Sequence, residues 1–209
     1  MPMADGIADG AGRPVVLASA SAVRTRLLTS AGVPHEIVPA DVDEADIRDR
    51  LLADDAPHPQ IAEVLAELKA QTIAPSYPNA IVLGADQTLS CEGELFEKPA
   101  GLDGVRDHLR RLGGREHTLH AAICAVVEGE LAWHHTASAS LRMRTFSDEF
   151  IDGYVAAAGE SACQSVGAYE LEGLGVHLFS EIDGDFFSIL GLPLLPVLEF
   201  LRGEAVVIA

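Results

Sequence analysis

Residues 14–32 read PVVLASASAVRTRLLTSAG. The apolar run from Pro14 to Ser19 has the composition of a short buried strand. Ser21 is placed to cap a helix that carries Val23, Leu27, Leu28 and Ala31 at helical spacing, and Gly32 stands where a C-terminal glycine stops one. A strand, a tight loop of small residues and a helix in nineteen positions is the opening unit of an α/β sheet.

The same alternation continues along the chain. His35 to Pro39 reads as a second strand, followed by the acidic segment Asp41 to Asp55. Pro59 to Ile73 predicts a helix with Ile61, Val64, Leu65, Leu68 and Thr72 on one face, ended by Pro75. The β-branched run Ala80 to Ala85 stops at Asp86, and Gln87 to Phe96 reads as a hairpin turning at Glu92-Gly93. A helix over Leu102 to Leu112 and two long strands, Thr118 to Val127 and Glu130 to Arg144, come next. Ser147 caps a helix whose first turn holds Asp148 and Glu149, where the helix dipole favours acids. A glycine-studded loop, Gly167 to Gly175, leads to a strand over Val176 to Ile182 and a last helix from Leu192-Pro193 to Arg202. The order βαβαββαββαβα predicts a mixed twisted sheet with helices on both faces. Residues 1–13 have no periodicity and read as a frayed tail, leaving 14–209 as a single domain or two lobes sharing a core.

Composition excludes several functions. With 32 acidic and 14 basic side chains the 209-residue chain has a formal charge of −18, which repels nucleic-acid backbones and anionic lipid surfaces. The longest apolar stretches are too short to span a bilayer and the N-terminus lacks a secretory pattern, so a cytoplasmic location is expected. Cys91, Cys124 and Cys163 are odd in number and widely spaced, which fits reduced thiols. Twelve of the basic residues are arginines; the two lysines, Lys69 and Lys98, stand apart from that habit.

Four features carry chemistry. The loop Ala18-Ser19-Ala20-Ser21 opens a helix, and its amides and hydroxyls with Arg24 one turn in suit an anion. Asp86 follows a central-strand run, where ligands of α/β sheets gather, and can hold a divalent cation or orient water. Glu36 and the pair Asp43-Glu44 are candidates for further carboxylates. Lys69 either leaves the core or reaches into a cleft, and Lys98 is held by Pro99. His117 and His120, three apart on a strand, and the adjacent His134-His135 point to opposite faces and do not suit a shared metal; Tyr169 and Phe186-Phe187 are candidates to stack on a base.

Taken in order, these segments resemble the Maf family of nucleotide pyrophosphatases, formerly called septum formation inhibitors. The opening L-A-S-x-S-P-R-R pattern stands as Leu17 to Arg24, V-D-E as Val42-Asp43-Glu44, and A-x-x-K-A as Ala66 to Ala70. G-A-D is Gly84-Ala85-Asp86, and G-E-x-x-x-K-P is Gly93 to Pro99. The late elements are Val166-Gly167-Ala168-Tyr169 and Gly191-Leu192-Pro193-Leu194. The resemblance implies two lobes around a nucleotide cleft and hydrolysis of a nucleoside triphosphate to monophosphate and pyrophosphate with Mg or Mn. It gives Asp86 the role of proton acceptor or metal ligand, Ser19, Arg24, Lys69 and Lys98 the polyphosphate, and Glu36 a place beside Asp86 on the metal. Gln87 and Glu172 look like the branch acting on 7-methylguanosine triphosphate; Val23 matches neither branch. A Glu carboxylate suits a methylated, cationic guanine. The family also implies a homodimer, and its older name suggests an alternative, a nucleotide-binding regulator of cell division without turnover.

Overall fold

The computed structural model describes residues 12–208. The expected tail falls almost wholly on residues 1–11, outside them. The described chain contains β1 (Val15–Leu17), α1 (Ala22–Ser30), β2 (Glu36–Ile37), α2 (Glu44–Ala53), α3 (His58–Ile73), β3 (Ile81–Cys91), β4 (Glu94–Phe96) and α4 (Gly101–Leu112). It continues with β5 (Glu116–Val127), β6 (Glu130–Met143), α5 (Asp148–Ala158), β7 (Phe179–Asp183), α6 (Phe186–Ile189) and α7 (Leu194–Gly203). The seven strands form one mixed sheet in the order β2-β1-β3-β5-β6-β7, with β4 added to β3. β1 runs parallel to both neighbours, whereas β4 and β7 lie antiparallel to β3 and β6.

The mixed α/β class follows the alternation of the sequence, and four details differ from it. Asp41 to Asp55 reads as an acidic connection but folds as α2, because Asp43 caps it by accepting from the Asp46 amide and Glu44 and Asp46 sit in the favoured first turn. Asp86 does not end its strand: β3 runs on to Cys91, since Thr88, Leu89 and Cys91 are buried in turn. The segment expected as a strand from Val176 begins as a 3₁₀ turn, and β7 starts only at Phe179. The last helix stands where it was expected, as α7 after Pro193, but a short helix that the pattern did not show, α6, capped by Asp185, precedes it.

The chain separates into two compact units. The first comprises the chain up to Asp86, residues 121–137 and the chain from Gly191 on. Its core packs Ala62, Ala66 and Ala70 of α3 against Val16, Val82, Ala122, Cys124 and Val126 of the strands. Small side chains on the helix bring α3 close to β3, and Gly84 is required there: a methyl at that position would run into the Ala66 carbonyl oxygen and come within 2.9 Å of Ala70 Cβ. The second unit, residues 87–120 and 138–190, has its own core, which includes Leu109 and Leu112 of α4, Leu141 and Met143 of β6, and Tyr154 and Val155 of α5. Among the described residues no helix is long and apolar enough to cross a membrane.

Candidate active site

One loop, one strand and three helices of the first unit bring the polar side chains of the candidate site together. β1 ends at Leu17, opposite Leu83 of β3, and the Ala18 amide still donates to the Leu83 carbonyl at 2.8 Å. Beyond that point β1 gives way to the Ser19-Ala20-Ser21 loop while β3 continues. Asp86, although in mid-strand, therefore stands past the carboxyl end of its parallel neighbour, the position at which α/β sheets hold ligands.

Ser21 caps α1 by accepting from the Arg24 amide at 3.3 Å. That cap turns Arg24 inward, where it is buried. Its Nε donates to the Gly191 carbonyl at 2.8 Å, and Nη1 donates to Ser19 Oγ at 3.0 Å and to the Ala85 carbonyl at 2.9 Å. Three of its five donors are thus spent on fixing the guanidinium beside Asp86. Ser19 Oγ also accepts from the Ser21 amide at 3.3 Å, so with two accepted bonds its own hydroxyl hydrogen is directed to something else. Burial lowers the Arg24 pKa against the pull of Asp86 and Glu44, and a guanidinium keeps its charge through such a shift.

Lys69 continues the buried row of α3 formed by Ile61, Ala62, Leu65 and Ala66. This face is rotated from the one expected through Val64, Leu68 and Thr72, because the alanines allow the closest approach to the sheet. The lysine Nζ donates to Asp86 Oδ1 at 2.6 Å, with the two side chains 9% and 10% exposed. The same Nζ lies 2.9 Å from Glu44 Oε1, on the first residue of α2. Burial raises the Asp86 pKa, opposed by the charges of Lys69 and Arg24 and the hydrogen bond from Lys69. The result is a carboxylate more basic than a free aspartate, between two cations.

Glu36 is not brought to this cluster. It pairs with Val16, whose other partner is Val82, four residues before Asp86 and about 13 Å along the sheet at ~3.3 Å per residue. Its carboxylate accepts instead from the Tyr77 hydroxyl at 2.7 Å. Glu44 is the second carboxylate that folding supplies, and the signal for it was the Asp43 cap, which leaves the next residue at the helix start. Among the described residues no group of three or more His, Cys, Asp or Glu side chains is placed to hold a metal ion. Two hard carboxylates on one ammonium do fit a small divalent cation that takes its other ligands from phosphate and water.

The remaining expected site residues are described on their own elements. Val23 is half-buried in the first turn of α1. In the second unit Lys98 is exposed just after β4. Gln87 Nε2 donates to the Ser188 and Ile189 carbonyls at 3.1 and 3.0 Å, which gives that amide a structural duty. Glu172 is exposed in the turn after Tyr169. Tyr169 itself is not available to stack on a base: it is 4% exposed, inside the second unit's core, and its hydroxyl meets His117 Nε2 at 2.9 Å. His120 hydrogen-bonds Ser138 and Ser90, and His135 stacks on Trp133.

Comparison with known proteins adds a consistent set of likenesses. Residues 14–204 match the family model described as Maf-like protein. The chain is 47% identical over 193 residues to a nucleoside triphosphate pyrophosphatase of Paramagnetospirillum magneticum, covering 91% of this chain and 100% of that one. A nucleoside triphosphate pyrophosphatase of Nitrobacter hamburgensis is 49% identical, over 92% of this chain and 94% of its own. A 7-methyl-GTP pyrophosphatase of Mesorhizobium japonicum is 45% identical, over 90% and 94%.

Proposed function

The chain belongs to the Maf-like protein family, and from that premise we propose that it hydrolyses a nucleoside triphosphate to the monophosphate and pyrophosphate, clearing modified nucleotides from the pool. The observation that carries this reading is the buried Lys69–Asp86 pair at 2.6 Å with Arg24 fixed alongside. A basic carboxylate held between cations is what an attack by water on an anionic phosphorus requires.

Asp86 takes a proton from water as the water oxygen bonds to the α-phosphorus, and the bond from that phosphorus to the bridging oxygen breaks. Charge then builds on the departing pyrophosphate, where the Lys69 ammonium, the Arg24 guanidinium and the open amides at the start of α1 oppose it. The Ser19 hydroxyl, its oxygen already accepting twice, donates to a phosphate oxygen. Where Asp86 serves instead as a ligand, it and Glu44 would hold a divalent cation, Mg or Mn, which when bound supplies further neutralisation of the phosphate oxygens.

Assignment of Lys98 to the polyphosphate, and of Val23, Gln87 and Glu172 to the base, rests on motif resemblance. The presence of Gln87 and Glu172 and the likeness to proteins named 7-methyl-GTP pyrophosphatase support a methylated guanine as the base.

The test is a panel of normal and methylated nucleoside triphosphates given to the full chain with Mg or Mn, with pyrophosphate and orthophosphate detected separately. Pyrophosphate should be the first product, and Asp86→Asn should lower the rate by about 10²–10⁴-fold with unchanged circular dichroism. No turnover across the panel, or orthophosphate as first product, would overturn the proposal.

A further inference from the structure

The second unit contains a buried polar pair that its core does not need for packing. His117 of β5 is 1% exposed, and its Nε2 meets the Tyr169 hydroxyl at 2.9 Å; its Nδ1 has no hydrogen-bond partner among the described residues. Both rings lie against Phe179, with centroid distances of 5.9 and 4.8 Å. A phenylalanine and a leucine would fill this space without leaving a polar nitrogen unpaired, so the pair costs stability where an apolar pair would not.

What the pair does supply is direction. The backbone just before Tyr169 is bent: Ala168 is fully buried at a φ of +62°, and its carbonyl accepts from the Tyr154 hydroxyl at 3.1 Å. Gly167 lies directly beneath the Tyr169 ring, where any added methyl would collide with it. Just after Tyr169, the Glu170 carbonyl accepts from both the Gly173 and Gly175 amides at 3.1 Å, closing a turn with exposed Glu172 inside it. The tyrosine ring is therefore the peg from which this turn hangs, and its hydroxyl ties the peg to β5 at 2.9 Å.

We propose that the His117–Tyr169 hydrogen bond is a positioning device for substrate selection, setting the Glu170–Gly173 turn and through it the Glu172 carboxylate. The inference rests on the assignment of Glu172 to the base. Burial depresses His117 to a pKa of about 4, so the imidazole is neutral and the bond does not change through the working pH range. His117 and Tyr169 touch no nucleotide in this scheme; they act through the turn.

The experiment compares kcat/KM for 7-methyl-GTP with kcat/KM for GTP, because that ratio is independent of how much of a preparation is folded. Glu172→Gln should shift the ratio toward GTP. Tyr169→Phe and His117→Leu should shift it the same way by about two- to tenfold, the range one hydrogen bond supports, mainly through KM for the methylated substrate. His117→Gln, which keeps a side-chain amide near the position of Nε2, should restore most of it. If Glu172→Gln moves the ratio and neither Tyr169→Phe nor His117→Leu does so by twofold, the positioning role is refuted and the assignment of Glu172 stands. If Glu172→Gln leaves the ratio unchanged, or the wild type hydrolyses neither nucleotide, the reading of the base site fails and this proposal falls with it.

Discussion

Replacing Lys69 by methionine probes the site with little change of shape. The substitution keeps a stem of similar length and removes only the ammonium, leaving Asp86 buried with Arg24 as its remaining cation. Removing one partner of a buried ion pair costs roughly 3–5 kcal/mol. Here the lower end, about 3 kcal/mol, is expected, because Arg24 stays in place and Asp86 can take up a proton instead of remaining charged. That escape sets the pH dependence. Asp86 already has a raised pKa in the folded protein, and loss of Lys69 raises it further, so the folded state binds more protons than the unfolded state over a wider window. The penalty of Lys69→Met is thus largest at high pH and shrinks as pH falls through the new folded pKa. Urea unfolding at pH 8 and pH 5 measures it, with Asp86→Asn as the second arm of a double-mutant cycle. In the Asn background the same substitution should cost less than about 1 kcal/mol, giving a coupling of at least ~2 kcal/mol. A coupling below about 0.5 kcal/mol, or a penalty that does not change between the two pH values, would refute the close pairing from which the mechanism is built.

Two further outcomes follow from packing and burial. Gly84→Ala forces α3 away from β3 at the Ala66 carbonyl, and should cost about 1–3 kcal/mol in thermal or urea unfolding. Because Lys69 lies between Ala66 and Ala70, pyrophosphate release should fall tenfold or more even below the unfolding transition; wild-type activity in a destabilised variant would uncouple the helix from the site. His117, at about 4 in the folded protein against an ordinary 6.5, binds fewer protons folded than unfolded between those values. Stability should therefore be full above pH 6.5 and decline below it by up to ~1.4 kcal/mol per pH unit, and His117→Leu should flatten that slope in urea titrations between pH 6.5 and 5.

Much of the site was legible because it is written in local pattern. A strand, small-residue loop and capped helix at residues 14–32 are specified within nineteen neighbours, and the Ser21 cap that turns Arg24 inward is a contact three residues long. The rarity of lysine singled out Lys69, and a β-branched run ending in an acid singled out Asp86. What local pattern could not show is where long side chains end. Lys69 had the choice of solvent or cleft, and Asp86 had no visible partner. Seventeen residues separate them, and only the seating of α3 on Gly84 joins them. Residue type alone offered both Glu36 and the pair Asp43-Glu44 as further carboxylates, and the family resemblance put Glu36 on the metal. The register of β2 against Val16 sends Glu36 to Tyr77, and the start of α2 delivers Glu44 to Lys69.

The fold class, the strongly acidic composition and the inventory of reactive side chains were therefore properties of the sequence, since they depend on residue type and short-range spacing. The pairing of charges, the burial that raises the basicity of Asp86, and the retreat of Tyr169 from any base into the second unit's core belong to the tertiary structure. Each depends on distances between segments far apart in the chain, and electrostatic energies change steeply with those distances and with the exclusion of water.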